Sequence, residues 1–355
     1  MKIYQMLPTM AYGDAIGNEV TAIYDILTDM GYETCVYAVN IDYKLKRDIT
    51  RPVDEYVDDP ENVLIYHLSI GNPLNDRLKS FKAKKIIIYH NVTPGHFFHD
   101  YDPKLEKLCN DGVKSVRSLA KFPDVCISVS TFNKNDLISY GYKCPHEVVP
   151  VIIDFDALDI QTSEEIERRY SSDGIKNIVF IGRIAPNKKQ EDLIKAFYMY
   201  RSYISADARL FLVGGYLKED KYYRKLRAYV RELDLEDSVI FTGHVPSEEM
   251  LAYYKIADAF VCLSEHEGFC VPLVEAMYFG VPIIVYDCCA TAETLGDGGI
   301  LLKDKEPQTV AEALDLVLNN EDVRRTVIEH GKLRLKYFRR ENVIKMFREV
   351  LDRYI

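Results

Sequence analysis

The stretch Ser264–Gly280 reads SEHEGFCVPLVEAMYFG, and it decides how the second half of this chain folds. Apolar runs flank it, Ala259–Leu263 before and Val281–Tyr286 after, which is typical of buried parallel strands. Pro272 predicts the start of a helix that ends at Gly280, because a proline in the first helical turn lacks only an N–H group that would stay unpaired there. The stretch is therefore predicted to form a loop and a helix between two strands.

The loop Gly268–Val271 is predicted to bind an anion. Its backbone N–H groups would lie at the positive end of a helix and at the carboxyl edge of a parallel sheet, which suits phosphate. Two carboxylates, Glu267 and Glu275, flank the loop. Carboxylates repel phosphate but accept hydrogen bonds from hydroxyl groups, so a sugar nucleotide fits the pattern. The alternative is that Glu275 only complements the helix dipole and that Glu267 is a solvated loop residue.

This stretch resembles the donor site of the retaining group-one glycosyltransferases of the GT-B fold, whose hallmark is two glutamates separated by seven residues. The resemblance implies that Glu267 contacts the donor sugar and that Glu275 holds the nucleotide ribose. It also implies that the loop donates backbone N–H groups to the sugar and the diphosphate, from Gly268, Phe269, Cys270 and Val271. The family commonly has glycine where this chain has a cysteine, Cys270, which narrows the loop's conformational freedom but keeps its N–H group.

A second turn carries two cations, Arg183 and Lys188, between a predicted strand, Asn177–Gly182, and a predicted helix, Glu191–Tyr200. Cations at both ends of a turn can hold a diphosphate from two sides, and arginine can bind two of its oxygens. The alternative is that both are ordinary surface charges. The family resemblance assigns both cations to the donor phosphates, and it places Val245 beside the nucleotide base.

The N-terminal half alternates strand-like segments with helical or polar ones, which predicts a parallel sheet with helices on both faces. The predicted strands are Lys2–Leu7, Glu33–Ala38, Val63–His67, Lys85–His90, Val125–Ser128 and Glu147–Val149. The loop 12–18 precedes a predicted helix, Asn18–Met30, and lacks the G-x-G-x-x-G spacing of a nicotinamide dinucleotide site. By resemblance, Gly13 and Gly17 in this loop let the backbone approach a ligand.

The fourth predicted strand ends at His90, within Tyr-His-Asn-Val-Thr-Pro. A histidine at the carboxyl end of a parallel strand lies where such sheets bind ligands, although a lone histidine is more often structural. The run resembles the His-Asn-Ile-Thr-Pro stretch of transferases that build bacterial surface polysaccharides. The resemblance gives His90 a contact with the donor sugar and favours GDP-mannose as the donor.

The whole chain has 355 residues, a net charge of -10 and eight cysteines. The length favours two domains, and the negative charge argues against a general nucleic-acid binder. The cysteines show no C-x-x-C spacing, which favours buried reduced thiols over disulfides or a zinc site; a redox pair of Cys288 and Cys289 is the alternative. No signal-peptide pattern opens the chain and no apolar stretch approaches about 20 residues, so we expect a cytoplasmic protein without a transmembrane helix.

Two basic stretches, Arg77–Lys85 and Lys104–Lys121, are typical of solvated helix faces. The alternative is weak contact with anionic lipid headgroups, or with a lipid-diphosphate acceptor, at the inner face of the membrane.

These patterns together predict an α/β protein of the GT-B type, with two doubly wound Rossmann-like domains facing across a cleft. Residues 1–155, with a C-terminal helix of about 340–355, form the predicted acceptor-side domain. Residues 156–339 form the predicted donor domain, whose first part, 159–174, is predicted to be a polar linker leading into the second sheet.

The resemblance implies retaining transfer of a hexose from a nucleotide sugar to a glycan or lipid-linked acceptor in polysaccharide biosynthesis. It assigns catalysis to Glu267, Arg183, Lys188 and His90, and it requires neither a metal nor another cofactor. The alternatives are a phosphorylase or epimerase of the same fold, a non-catalytic scaffold that binds a sugar nucleotide, or a doubly wound protein that binds no nucleotide.

Overall fold

The structure is a computed structural model that describes residues 1–11, 13–45 and 49–355. These residues divide into two compact units. Unit 1 comprises residues 1–99, 103–155 and 338–355, and unit 2 comprises residues 100–102 and 156–337.

Unit 1 is built on a sheet whose strands all run parallel. Its strands are β1 (Lys2–Met10), β2 (Glu33–Ile41), β3 (Thr50–Pro52), β4 (Val63–Leu68), β5 (Lys84–Tyr89), β6 (Val125–Ser128) and β7 (His146–Val148). Their order in the sheet is β3-β2-β1-β4-β5-β6-β7. Its helices are α1 (Ala15–Asp29), α2 (Pro73–Arg77), α3 (Pro103–Leu119), α4 (Thr131–Ser139) and, from the end of the chain, α13 (Arg340–Tyr354).

Unit 2 contains a second all-parallel sheet. Its strands are β8 (Lys176–Ile181), β9 (Ala208–Val213), β10 (Val239–Gly243), β11 (Ala259–Cys262), β12 (Ile283–Tyr286) and β13 (Ile300–Leu302), in the order β10-β9-β8-β11-β12-β13. Its helices are α5 (Glu164–Tyr170), α6 (Gln190–Tyr203), α7 (Lys221–Glu232), α8 (Ser247–Ile256), α9 (Val271–Tyr278), α10 (Thr291–Leu295), α11 (Pro307–Asn319) and α12 (Glu321–Leu335). The prediction of two parallel-sheet α/β domains is confirmed.

Each sheet has a switch point, where the strand order reverses. The chain builds outward in both directions from the β1–β4 pair in unit 1 and from the β8–β11 pair in unit 2. Sheets of this kind bind ligands beyond the carboxyl ends of the strands at the switch point, because the connecting loops part there. The topology therefore marks one candidate region in each unit.

The strands of unit 1 are buried on both faces. Met6 packs into the core on one face with Leu64, whereas the next residue, Leu7, packs on the other face with Val20. Two-sided burial explains why these strands read as apolar runs rather than as alternating patterns.

Three details differ from the sequence-based expectations. The edge strand β3 was not predicted; it is three residues long, and its proline, Pro52, is tolerated because an edge strand leaves one side unpaired. Helix α1 begins at Ala15, so Gly17 lies in its first turn rather than in the preceding loop. A Cβ atom on Gly17 would lie 2.3 Å from the carbonyl oxygen of Ala11, so the close approach of this helix to the residue that follows β1 requires glycine.

The predicted linker 159–174 was also wrong in part, because it contains α5. Ile166 of this helix is buried, and the amide of Ser163 donates to the carbonyl of Glu248 at 3.0 Å. The acidic composition of the segment hid an amphipathic helix that packs into unit 2.

The last helix, α13, belongs to unit 1. Arg353 donates to the Glu147 carboxylate at 2.6 Å, and the hydroxyl of Tyr354 donates to the same carboxylate at 2.8 Å. Across the described residues, none of the helices combines the length and the apolar character needed to cross a bilayer.

Candidate functional site

The switch point of unit 2 brings together the two stretches that the sequence singled out. The turn after β8 carries Arg183 and Lys188, and the loop after β11 carries Glu267. Because β8 and β11 are neighbouring parallel strands, both connections leave the same edge of the sheet.

Hydrogen bonds hold these two connections against each other. The amide of Glu265 donates to the carbonyl of Asn187 at 2.8 Å, and the Asn187 side chain donates to the carbonyl of His266 at 3.3 Å. The Nζ of Lys188 lies 2.7 and 2.8 Å from the two carboxylate oxygens of Glu267. The sequence did not predict that Glu267 and Lys188 form an ion pair.

The ion pair is largely shielded from water, with 8% of the Glu267 side chain and 24% of the Lys188 side chain exposed. Burial by itself would lower the pKa of Lys188, but the Glu267 carboxylate and the nearby Cys270 thiol raise it above the ordinary lysine value. Lys188 therefore keeps its positive charge. Its ammonium has three hydrogens and the carboxylate has about four acceptor positions, so both groups can bind a ligand while they remain paired.

The amino end of α9 has the features of an anion site. Cys270 caps the helix in a left-handed conformation, at φ 73°, and within the described residues no side chain accepts a hydrogen bond at this cap. A non-glycine residue in that conformation costs about 1–2 kcal/mol, so the surrounding structure must hold it there. Thr294 does so in part, because its hydroxyl donates to the carbonyl of Phe269 at 2.6 Å. The loop thus presents Val271 and the first turn of α9 at the positive end of the helix dipole.

Glu275 lies in α9 and is held by Tyr254 of α8. The Tyr254 hydroxyl donates to Glu275 Oε2 at 2.7 Å. Burial raises the pKa of Glu275, and the hydrogen bond from Tyr254 lowers it, so the net value is still above the ordinary glutamate range. Sequence reasoning missed Tyr254, because nothing in the spacing of α8 indicates which of its side chains reaches α9.

The structure shows fewer contacts that would define a role for Arg183 and Val245 than it does for Lys188 and Glu267. The Arg183 side chain is exposed and forms no ion pair with the residues that the structure describes, while its carbonyl accepts from the Gln190 side chain at 3.1 Å. Val245 is half-buried in the turn between β10 and α8. The ligand contacts expected of both residues remain predictions.

Two thiols lie close to the Glu267 carboxylate. The sulfur atoms of Cys262 and Cys270 and a carboxylate oxygen of Glu267 all lie within 4.8 Å of one another, and all three residues are buried. The sulfur atoms of Cys288 and Cys289 are 3.3 Å apart. Two thiols and a carboxylate are suitable ligands for a soft divalent cation such as Zn²⁺. The expectation that no metal is required stays a prediction.

The remaining sequence candidates lie in unit 1. His90 directly follows β5, and its Nε2 is 3.0 Å from Nδ1 of His67 in β4. Gly13 has a positive φ, 72°, in the loop before α1, whereas Gly17 is buried inside that helix. The expected contacts of these three residues with a donor remain predictions.

The basic stretches of unit 1 are partly neutralised by their own acidic neighbours. Lys79 pairs with Asp76 at 2.6 Å, and Lys114 pairs with Asp111 at 3.3 Å. Lys85 is buried and donates to the carbonyl of Phe81 at 2.8 Å. These pairings reduce the positive charge available to an anionic surface, and membrane contact stays a prediction.

Comparison with known protein families gives a match to the C-terminal half of the chain, and comparison with solved structures gives matches to the whole fold. Residues 162–334 match the family described as glycosyl transferases group 1. A GDP-mannose-dependent alpha-(1-6)-phosphatidylinositol monomannoside mannosyltransferase of Mycobacterium tuberculosis is 27% identical over 219 residues, which cover 58% of this chain and 56% of that protein. The chain spans about half the length of the curated relatives it matches.

Two solved structures are similar over 99% of this chain. Sucrose-phosphate synthase from Thermosynechococcus elongatus has a TM-score of 0.78 and 16% identity, with 99% of that chain covered. The Anabaena protein HepE in complex with UDP and glucose has a TM-score of 0.75 and 15% identity, with 100% of that chain covered. At these identities the similarity establishes the fold.

Proposed function

Because residues 162–334 match the group 1 glycosyltransferase family and the two parallel-sheet units have the GT-B fold, we propose that the chain transfers a hexose from a nucleotide sugar. The proposed acceptor is a hydroxyl group of a glycan or lipid-linked glycan, and the configuration at the anomeric carbon is retained. GDP-mannose is the proposed donor, a choice that the name of the mycobacterial relative supports. The resemblance read from Ser264–Gly280 is confirmed at the level of the family.

One observation carries the proposal: the Lys188–Glu267 ion pair lies where the turn after β8 meets the loop that leads into α9. This arrangement offers a fixed cation, a fixed carboxylate and the positive end of a helix within one switch point. A nucleoside-diphosphate sugar needs all three, because it carries an anionic diphosphate between two groups rich in hydroxyls.

The cationic groups act on the leaving group. As the bond between the anomeric carbon and the diphosphate oxygen breaks, negative charge grows on the diphosphate. The ammonium of Lys188, the guanidinium of Arg183 and the first-turn amides of α9 stabilise that charge. Lys188 and the amides are held in place beforehand, so they need little reorganisation. The acceptor hydroxyl attacks the same face of the sugar and loses its proton to the departing phosphate.

The two glutamates orient the donor. Glu267 accepts hydrogen bonds from sugar hydroxyls through the acceptor positions that Lys188 leaves open, and Glu275, fixed by Tyr254, accepts from the ribose hydroxyls. Neither needs to act as a nucleophile in this scheme.

A donor panel tests the proposal. The purified protein is incubated with GDP-mannose, UDP-glucose or UDP-N-acetylglucosamine and a mixture of mannosyl glycan and polyprenyl-diphosphate glycan acceptors, and nucleoside diphosphate release and the glycan product are measured. We expect acceptor-dependent release of GDP from GDP-mannose and an α-linked product by NMR. A preference for UDP-glucose would overturn the assignment of GDP-mannose as the donor but not the proposed glycosyltransferase activity.

Two further arms address the rival reactions. Inorganic phosphate in place of the glycan acceptor tests for a phosphorylase, and isomerisation of the donor without acceptor tests for an epimerase. If none of the donors is consumed but GDP or UDP raises the melting temperature, the chain is a sugar-nucleotide-binding scaffold.

A further inference from the structure

A series of buried polar side chains lies at the switch point of unit 1. It runs through Gln5 of β1, His67 of β4, His90 after β5 and Glu19 of α1. Only 7% of the His90 side chain and 4% of the Glu19 side chain are exposed. Polar groups this deeply buried must be satisfied by hydrogen bonds, or each costs about 1–3 kcal/mol.

The distances connect these side chains into one series. Gln5 Nε2 lies 3.0 Å from the carbonyl oxygen of Val20, and Gln5 Oε1 lies 3.0 Å from Nε2 of His67. His67 Nδ1 lies 3.0 Å from Nε2 of His90, and His90 Nδ1 lies 3.4 Å from Oε2 of Glu19.

The end of the series at Val20 fixes the direction of the hydrogen bonds. A carbonyl oxygen only accepts, so Gln5 donates to it through Nε2 and accepts through Oε1. His67 must therefore donate from Nε2, which leaves its Nδ1 as the acceptor when the ring is neutral. His90 then donates from Nε2, and its Nδ1 faces Glu19.

At the other end, the backbone amide of Ile152 donates a hydrogen bond to the Glu19 carboxyl group. An amide only donates, so Glu19 accepts there. The contact between Glu19 and His90 needs one proton, which is either on the carboxyl oxygen or on Nδ1 as an imidazolium. Glu19 Oε2 is buried and forms no hydrogen bond with the described residues, although it lies 3.4 Å from His90 Nδ1. A proton placed in that contact in either arrangement would complete the series, and the two arrangements differ in whether two opposite charges are buried.

We infer that Glu19 is a positioning residue, a neutral carboxyl group that donates its proton to His90 Nδ1 and thereby holds His90 and the connection 149–155 in one arrangement. A neutral pair avoids the desolvation of two charges in an apolar interior. The described titratable groups that face Glu19 are His90 and, beyond it, His67, and both carry basic rings. The link to catalysis rests on the proposed function, whereas the protonation state and the structural role do not.

The protonation equilibria support the same assignment. Burial raises the pKa of Glu19 to about 8, although the hydrogen bond from the Ile152 amide opposes the rise. Burial lowers the pKa of His90 to about 4, and burial together with the neighbouring His90 lowers the pKa of His67 well below its usual value.

Nitrogen NMR of the imidazole rings provides the direct test. Long-range proton–nitrogen spectra of histidine-labelled protein at pH 7 should show His67 and His90 as neutral rings, both protonated at Nε2 and bare at Nδ1. A proton on Nδ1 of His90 would overturn the inference, because Glu19 would then be the ionised partner of an imidazolium.

Stability against pH gives an independent test. The folded-state pKa of Glu19 is above its unfolded value, so the unfolded state binds fewer protons between about pH 4.3 and pH 8 and the wild-type urea midpoint should fall as the pH rises through that range. Glu19→Gln keeps a donor toward His90 and an acceptor toward Ile152, and it should remove this component of the fall. Glu19→Ala should be less stable at every pH.

Glu33→Gln is the matched control, because Glu33 is exposed and pairs only with Lys2 at 2.6 Å among the described residues. It should keep the wild-type pH profile. If Glu19→Gln instead loses as much stability at pH 6 as Glu19→Ala, the carboxylate is ionised and the inference fails.

Activity separates positioning from simple stability. In the transfer assay, Glu19→Ala should lower kcat by about 10- to 100-fold with a smaller change in donor KM, because a misplaced group slows the reaction more than it weakens binding. Glu19→Gln should keep kcat within about threefold of the wild-type value at pH 7. If no donor is turned over, the proposed function fails while the NMR and stability results still decide the protonation state. Zn²⁺ binding by calorimetry that disappears in Glu19→Gln would overturn the hydrogen-bonded series.

Discussion

Two buried carboxyl groups, Glu267 in the loop after β11 of unit 2 and Glu19 in α1 of unit 1, lie near the switch points of their sheets and differ in charge. Glu267 is held by an ammonium group at 2.7 and 2.8 Å, and Glu19 faces an imidazole at 3.4 Å. Unperturbed lysine and glutamate differ by about six pKa units, and the Glu267 carboxylate raises the pKa of Lys188 against the effect of burial. Histidine and glutamate differ by only about two, and burial is enough to return the proton to the carboxyl group.

The difference in charge between the two carboxyl groups suits the two regions to different functions. In the ion pair, Lys188 stays positively charged and in a fixed position, so it can bind an anionic ligand. The neutral series in unit 1 fixes the positions of its side chains through directed hydrogen bonds, and it adds no net charge to the interior.

The largest effect should come from removing the charge of Glu267. Glu267→Gln leaves Lys188 without a counter-charge and weakens the grip on the sugar, so kcat/KM for transfer should fall by about 10²–10³-fold, the usual cost of losing a preorganised electrostatic group. Glu265→Gln is the matched control, since Glu265 lies in the same loop and pairs with Lys189 at 3.2 Å. It should stay within about threefold of wild type. Equal losses in the two variants would contradict a special role for Glu267.

The coupling between Lys188 and Glu267 should be the next largest effect. Lys188→Met and Glu267→Gln should each lower the free energy of unfolding by about 1–3 kcal/mol, because each leaves a partly buried charge unpaired. The double variant leaves no charge behind, so its loss should be smaller than the sum by about 1 kcal/mol or more. Urea denaturation of all four proteins measures the cycle. Additive losses would mean that the pair contributes no coupling.

The neutral series in unit 1 should break at its far end without any change in charge. Gln5→Leu removes the acceptor of His67 Nε2 and the donor to Val20, and it should cost about 1–3 kcal/mol of unfolding free energy. Gln161→Leu, at an exposed position, is the control and should cost less than about 0.5 kcal/mol. Equal urea midpoints for Gln5→Leu and wild type would show that the series is not continuous.

The smallest effect should appear in the pH dependence of donor binding. Tyr254→Phe removes the hydrogen bond that lowers the pKa of Glu275, so burial acts unopposed and the pKa rises further. More of Glu275 is then protonated in mild acid, and the donor KM should rise a few-fold at pH 5 to 6 with little change at pH 8. KM profiles of Tyr254→Phe and of Tyr253→Phe, a neighbouring buried tyrosine, give the comparison. A uniform rise across the pH range would point to lost packing instead.

The loop 268–271 and the helix after it could be predicted because the residues that determine them are adjacent in the sequence. Pro272 marks the helix start, Gly280 marks its end, and the flanking apolar runs identify the strands, all within a single stretch of sequence. Even there, the ion pair of Glu267 with Lys188 was missed, since it depends on which strands become neighbours.

The series in unit 1 could not be assembled from the sequence, because its members lie far apart along the chain and meet only when β1 and β4 pair. A signal was nevertheless present. Gln5 and His67 are polar residues inside runs that are otherwise buried and apolar, which indicates that each needs a specific partner. The strand β3 left no such signal, because three residues are too few to show a pattern.

The discontinuous make-up of unit 1 has a consequence for how the protein matures on the ribosome. Helix α13 is synthesised only after all of residues 156–337, yet it docks on Glu147 and belongs to unit 1. Unit 2 is almost entirely one contiguous segment, so it can finish folding while the first unit still waits for its last helix. A nascent chain halted before residue 338 would therefore carry a completed second unit and an unfinished first one.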